Sequence, residues 1–305
     1  MPLLVDSRRM EVSLPAARIL QSSAQLQERA RNLTSQPAQV IGANGFLYVQ
    51  QRELAATTPG DSSISILGSE DATTCHIVVL RHSGSGATCL AHCDGSDSEN
   101  EVAAIIQAVT SLTKTTEGRL ELHLVGGFND QRQLSLKLSR QLLKAFHKQA
   151  EDIHLVTLCV TDINDRKEDG VHLPIIYGLV NVKTGEICKA KFEDRQPDED
   201  LRSAYILAGG DMVNIYDAGS EQLNIGPYSW VPFPNIAFWL DQEDKEILDC
   251  FSTSPQAEPP HFVQHMKSSL RYLKDNPRPQ VSVFPDGKPR SYKKQADGQW
   301  ERIKS

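Results

Sequence analysis

The sequence predicts a mixed α/β fold, a β-sheet sandwich flanked by helices. Short apolar runs bounded by turn residues alternate with amphipathic stretches at helical spacing, and no segment repeats. Hydrophobic residues make up 39% of the 305 positions and charged residues 23%, so the chain can bury a substantial core. That balance excludes a disordered linker or a collagen-like rod.

Each element follows from local pattern. Ile19, Leu20, Leu26, Ala30 and Leu33 recur near helical spacing, predicting a helix from Pro15 to Leu33 with proline in its first turn. GFLYV (Gly45 to Val49) reads as a short strand, and SISILGS, HIVVLRH and ATCLAHC as three more, the last two joined by the flexible SGSG. Asp97 or Ser98 caps a helix carrying Val102, Ile105, Ile106, Val109 and Leu112 on one face. RLELHLVGGF is a strand ending in paired glycines, which suit a strand-end turn better than a phosphate cradle. Asn129 or Asp130 caps the next helix, and IHLVTLCV after it is a buried strand. LPIIYGLVNV, EICKAKF and MVNIYD add strands, and the helix DLRSAYILA stops at Gly209 and Gly210. After the proline-punctuated loop NIGPYSWVPFPN come two helical patterns, near Trp239 to Phe251 and Pro260 to Leu273, and a polar tail. The expected division is a catalytic core over 1–235 and a helical extension over 236–305 packed on it.

The net charge of −7 and scattered cations give no footprint for a phosphate backbone, so nucleic acid is not an expected partner. No run approaches the roughly 20 apolar residues of a membrane span, and MPLLV falls short of a signal-peptide core. A monomer in the cytosol or nucleus is expected, with all six cysteines reduced and Pro2 exposed if Met1 is trimmed.

Nucleotide-binding, zinc-peptidase and serine-hydrolase signatures are absent. Reactive residues concentrate instead between Leu67 and Asp94, which holds three cysteines, three histidines and three acids. A cysteine nucleophile needs a base, because a free thiol with a pKa of about 8.5 is little ionised at neutral pH. His76 adjoins Cys75 but points to the opposite face of a strand. Folding the hairpin about SGSG brings His92 back beside Cys75, with the two predicted opposite each other. His82, near the tip, is expected at the surface. The other ring nitrogen of His92 needs an acceptor, for which Ser69 is the choice and Glu70, Asp71 or a backbone carbonyl the alternatives. Backbone N–H groups at Thr74 and Cys75 are the expected oxyanion donors.

The remaining cysteines read as structural. Cys159 and Cys188 lie in apolar strand patterns and Cys250 in a helix core. Cys89 and Cys93 beside His92 lack a second ligand pair for zinc, so neither metal nor cofactor is expected. Tyr228 and Trp230 suit either ordinary loop packing or the wall of a substrate pocket.

At LYVQQRELA, SISILGS, DATTCHIVVLRH, HLVGGF, DIHLVTLCVT, IGPYSW and EPPHFV the chain resembles the protein N-terminal asparagine amidohydrolase family, over nearly its whole length. The resemblance implies a cytotoxic necrotizing factor-like cysteine hydrolase fold with a Cys-His-Ser arrangement, and its ATTCH motif gives Cys75 as nucleophile. Chemotaxis receptor glutamine deamidases resemble the same stretch more weakly and give Ser69, Cys75 and His92 in the same order. The implied reaction converts N-terminal Asn of proteins or peptides to Asp, which feeds arginylation and ubiquitin-dependent degradation. An enzyme of this kind must read a free α-ammonium, and a carboxylate is the natural recogniser. Glu70 and Asp94 are the expected acids, with Thr74, Tyr228 and Trp230 also expected to contact substrate. The same residues leave open a non-catalytic module that binds N-terminal residues, or another cysteine hydrolase such as a peptidase or transglutaminase.

Overall fold

The computed structural model describes residues 3–11 and 14–303; Pro2 lies outside them. Among the described residues an eight-stranded sheet runs Val213–Asn214, Glu53–Thr57, Thr88–Cys93, His76–His82, Leu120–Gly126, Ile153–Val160, Leu3–Val5 and Arg8–Arg9. Side-chain alternation along the central strands divides the core in two. Val78, Leu80, Leu122, Leu124 and Leu158 pack with the helices Ser98–Leu112 and Leu134–His147. The intervening Ile77, Val79, Val125 and Cys159 pack with Leu47, Leu67 and Leu179, which belong to a five-stranded sheet. The result is a helix–sheet–sheet stack, a mixed α/β sandwich as the pattern predicts.

Most of the long elements fall where their patterns place them. The predicted first helix is two, Ala16–Gln21 and Ala24–Ser35, because Ser23 turns out of line and its Oγ accepts the Leu26 N–H at 3.2 Å. Asp130 stabilises the helix Leu134–His147 from four positions before its start, accepting from Leu134 N and Ser135 N at 2.9 Å each. Glu53–Thr57 goes unread in the sequence because ELAAT is poor in β-branched residues, yet all five positions are buried. The tail is not merely polar: Arg290–Lys294 and Trp300–Arg302 form a small sheet with Gln222–Ile225 and Tyr216–Asp217. No helix among the described residues is long and apolar enough to cross a membrane.

One buried ion pair fixes the segments that flank the cavity described below. Arg202, wholly buried in the helix Glu199–Leu207, donates to both carboxylate oxygens of Glu53 at 2.9 and 2.6 Å. It also donates to the carbonyls of Tyr48, Arg195 and Pro197, while Glu53 accepts the Gln50 N–H at 2.8 Å. Glu53→Ala strands the guanidinium in the core, and chemical denaturation should show a loss of about 3–5 kcal/mol.

Candidate active site

The hairpin argument brings Cys75 and His92 to one site but misses their register by two residues. Ile77 stands opposite His92 and His76 opposite Cys93, so Cys75 lies just outside the strand and diagonal to His92. Cys75 still packs into the inter-sheet core beside Ile77, on the side of the sheet that His92 shares. The paired glycines hold it there. Gly127 N donates to the Cys75 carbonyl at 2.9 Å, and a Cβ on Gly126, at φ +133°, would stand 2.6 Å from that oxygen.

Ser69 comes from the other sheet, where it pairs with Leu179. Gly68 lets Phe192 and Phe46 lie against the backbone beside it: an added Cβ would come within 2.4 Å of the Phe192 ring. Ser69 Oγ lies 2.7 Å from His92 Nδ1, a buried hydrogen bond between the two sheets. His92 Nε2 is also buried and, among the described residues, has no hydrogen-bond partner. With Nδ1–H donated to Ser69, Nε2 presents a lone pair, which is the tautomer a general base requires.

Cys75 and His92 open into one cavity of about 600 Å³. Its walls come from Tyr48–Arg52, Glu70–Cys75, the helix Glu199–Leu207 and the C-terminal segment from Phe251 to Ser269. A smaller cavity of about 320 Å³ near Ala56 and Tyr216 has no cysteine or histidine in its wall. Burial pulls His92 down to about 4, against the pull of Asp94 and Asp71. Burial likewise pushes the Cys75 thiol well up, although part of the residue reaches the cavity, and Asp94, Glu258 and Glu101 push it further against Arg52. Burial thus favours a protonated thiol and a neutral imidazole over a thiolate–imidazolium pair.

The acids chosen from sequence already have partners. Arg195 clamps Glu70 and, at 2.7 Å, Asp71, which His261 also contacts at 2.8 Å. Glu70 nevertheless stays raised, since its burial outweighs Arg195. Asp94 is bound by Arg52 at 2.6 Å and Gln51 at 2.8 Å, which outweigh its burial and hold it low. Thr74 lines the cavity with its hydroxyl 2.9 Å from that of Thr253, and among the described residues the N–H groups of Thr74 and Cys75 have no backbone partner. They are free to serve as oxyanion donors.

Tyr228 and Trp230 do not line the cavity. Tyr228 stacks on Tyr205 at 4.0 Å and meets Phe284 edge-on, while Trp230 Nε1 donates to the Asn276 carbonyl at 2.9 Å. Loop packing thus accounts for both. His76 turns away to Ser139 at 2.6 Å, as its strand position requires. His82 sits at the hairpin tip but is buried, bonded to Ser85 at 3.0 Å. Cys250 is exposed and not a core residue. Sequence reasoning gave no role to Glu258, His261 or His265, all of which line the cavity. The acid in EPPHFV, followed by two prolines that stiffen its loop, was the available signal.

Residues 36–302 match the sequence model of the family described as protein N-terminal asparagine amidohydrolase. The chain is 59% identical over 307 aligned positions to the protein N-terminal asparagine amidohydrolase of Mus musculus, and 58% identical to that of Homo sapiens; each alignment covers 100% of this chain and 99% of the relative. A protein of the same name from Arabidopsis thaliana is 29% identical over 84% of this chain and 81% of its own length. Family match and full-length identity agree with the motifs around the Ser69–His92 bond: the chain belongs to the protein N-terminal asparagine amidohydrolase family.

Proposed function

We propose that the protein hydrolyses the side-chain amide of an N-terminal asparagine, releasing ammonia and leaving aspartate, through a thioester on Cys75. The observation that carries this reading is the bond between Ser69 and His92 Nδ1, with Nε2 unpartnered among the described residues and His92 lining the cavity that Cys75 shares. Because thiol and imidazole both start neutral, attack and proton transfer go together. Cys75 sulfur bonds to the amide carbon as its proton passes to His92 Nε2, and the N–H groups of Thr74 and Cys75 receive the oxyanion. The imidazolium returns that proton to the leaving nitrogen, the C–N bond breaks and ammonia departs. Water then gives a proton to His92 as its oxygen attacks the thioester, and the C–S bond breaks to restore the thiol.

Residues 1–235 carry the reacting groups in this reading, and 236–305 complete the cavity. The helix–sheet–sheet layering supports the cytotoxic necrotizing factor-like arrangement that the motifs imply. The protein acts alone, without cofactor, in the cytosol or nucleus, and its aspartate product leads into N-degron degradation.

The test is ammonia release from four peptides at equal concentration, beginning with Asn, Gln or acetyl-Asn, or carrying Asn internally. Asn-initiated peptide is expected to turn over with no change in length. Gln inserts a methylene between ammonium and amide, and misplacement by about 1 Å costs about a hundredfold. Acetyl-Asn and internal Asn should be inert. Binding without ammonia would indicate a recognition module, a shortened product a peptidase, and equal rates on internal Asn a general protein deamidase.

A further inference from the structure

Five carboxylates line the cavity: Glu70, Asp71, Asp94, Glu199 and Glu258. Four are matched by basic side chains. Arg195 takes Glu70 and Asp71, Arg52 takes Asp94, and His265 Nδ1 lies 3.5 Å from Glu199. Glu258 has no ion-pair partner among the described residues. The hydrogen bonds it accepts come from two hydroxyls, Ser252 at 2.5 Å and Thr73 at 3.5 Å. Thr73 belongs to the loop that ends at Cys75, so this acid is tied to the backbone that carries the nucleophile.

A partly buried carboxylate hydrogen-bonded only to hydroxyls, on which the pull of His261 is outweighed by burial and by Asp71, remains short of a counter-charge. The substrate of the reaction above brings one, an α-ammonium separated from the reacting amide by a short, fixed length of chain. We infer, on the strength of that reading, that Glu258 seats the substrate's α-ammonium and that this charge, by cancelling the cavity's unpaired carboxylate, converts Cys75 from an inert thiol into a reactive one. Burial is the main hold on the Cys75 proton, and three carboxylates, Asp94, Glu258 and Glu101, add to it. Asp94 is already bound to Arg52, and Glu101 lies outside the cavity wall. Glu258 is thus the one whose charge a ligand can remove. An internal asparagine brings no such charge, so the same acid that binds the correct terminus withholds the nucleophile from the wrong one.

Alkylation by iodoacetamide separates the effect of charge from turnover. A Gly-initiated peptide delivers the ammonium but leaves the side-chain space open to this small, neutral amide. In the reaction the sulfur–carbon bond forms, the carbon–iodine bond breaks, iodide departs and the thiol proton passes to His92 or water. The rate at Cys75 is followed by mass spectrometry at pH 8, where Glu258, pushed up to about 7 by its burial, is ionised in the empty site. Saturating Gly-initiated peptide should accelerate alkylation about tenfold, the scale of one charge acting within a partly buried site. The acetyl-Gly peptide should have no effect, Glu258→Gln should abolish the acceleration, and Glu258→Asp, which keeps the charge, should retain part of it. An unchanged or slower rate with the Gly-initiated peptide, or equal acceleration in folded Glu258→Gln, would overturn the inference. Either result leaves the thioester reading standing provided the wild-type protein still releases ammonia from Asn-initiated peptide; absence of that release instead removes the reading beneath it.

Discussion

Cys75→Ser should end ammonia release from Asn-initiated peptides, by more than about a thousandfold, in a chain that melts like the wild type. A thiol held above its ordinary range is still far more acidic than a serine hydroxyl. His92, drawn down to about 4, is too weak a base to make up the difference in the empty site. Because oxygen replaces sulfur at a half-buried position on the cavity wall, the substitution leaves little void and the fold should persist. The five other cysteines, changed singly to alanine, should lose stability where they are buried and keep activity wherever the variant folds. Near-normal turnover in folded Cys75→Ser would remove covalent catalysis from the mechanism.

His92→Ala should lower kcat at least about a hundredfold with a smaller effect on KM, because in the proposed mechanism the imidazole moves protons in both halves of the reaction. Ser69→Ala should cost less, about tenfold, since Ser69 fixes the ring and transfers no proton itself. The contrast with His76 makes the result interpretable. His76 is buried and also drawn down to about 4, but it bonds Ser139 on the helix-facing side. His76→Ala should therefore reduce the unfolding midpoint while kcat in the folded fraction stays close to wild type. A kcat that depends on His76 or His82 and not on His92 would show the wrong histidine to be the base.

Local chemistry was legible in the sequence, and long-range charge pairing was not. The short SGSG connection constrains the two strands enough to bring Cys75 and His92 into one site, though Ile77, not Cys75, faces His92. Glu70 and Asp94 were picked for their nearness to that site, but Arg195 lies 125 positions from Glu70 and Arg52 lies 42 positions from Asp94. Nothing local announces such neutralisation. Glu258 is 183 positions from Cys75 by numbering, so its place in the cavity depends on the return of the C-terminal chain. Tyr228 and Trp230 failed as pocket residues for a different reason: an aromatic in a proline-rich loop can face inward or outward, and Tyr205 and Asn276 draw these two inward.

The cavity draws its walls from segments more than 200 positions apart in the chain, from Tyr48 to Ser269, which sets a sequence of events during synthesis. Ser69, Cys75 and His92 leave the ribosome early, and the strands that hold them can begin to pair while most of the protein is unmade. Thr253, Glu258, His261 and His265 emerge only after more than 250 residues have been made. A chain arrested before Thr253 holds Cys75 and His92 but lacks the wall segment that carries Glu258, His261 and His265. Discrimination is thus completed only when this late segment docks, well after the strands that hold Cys75 and His92 have been made.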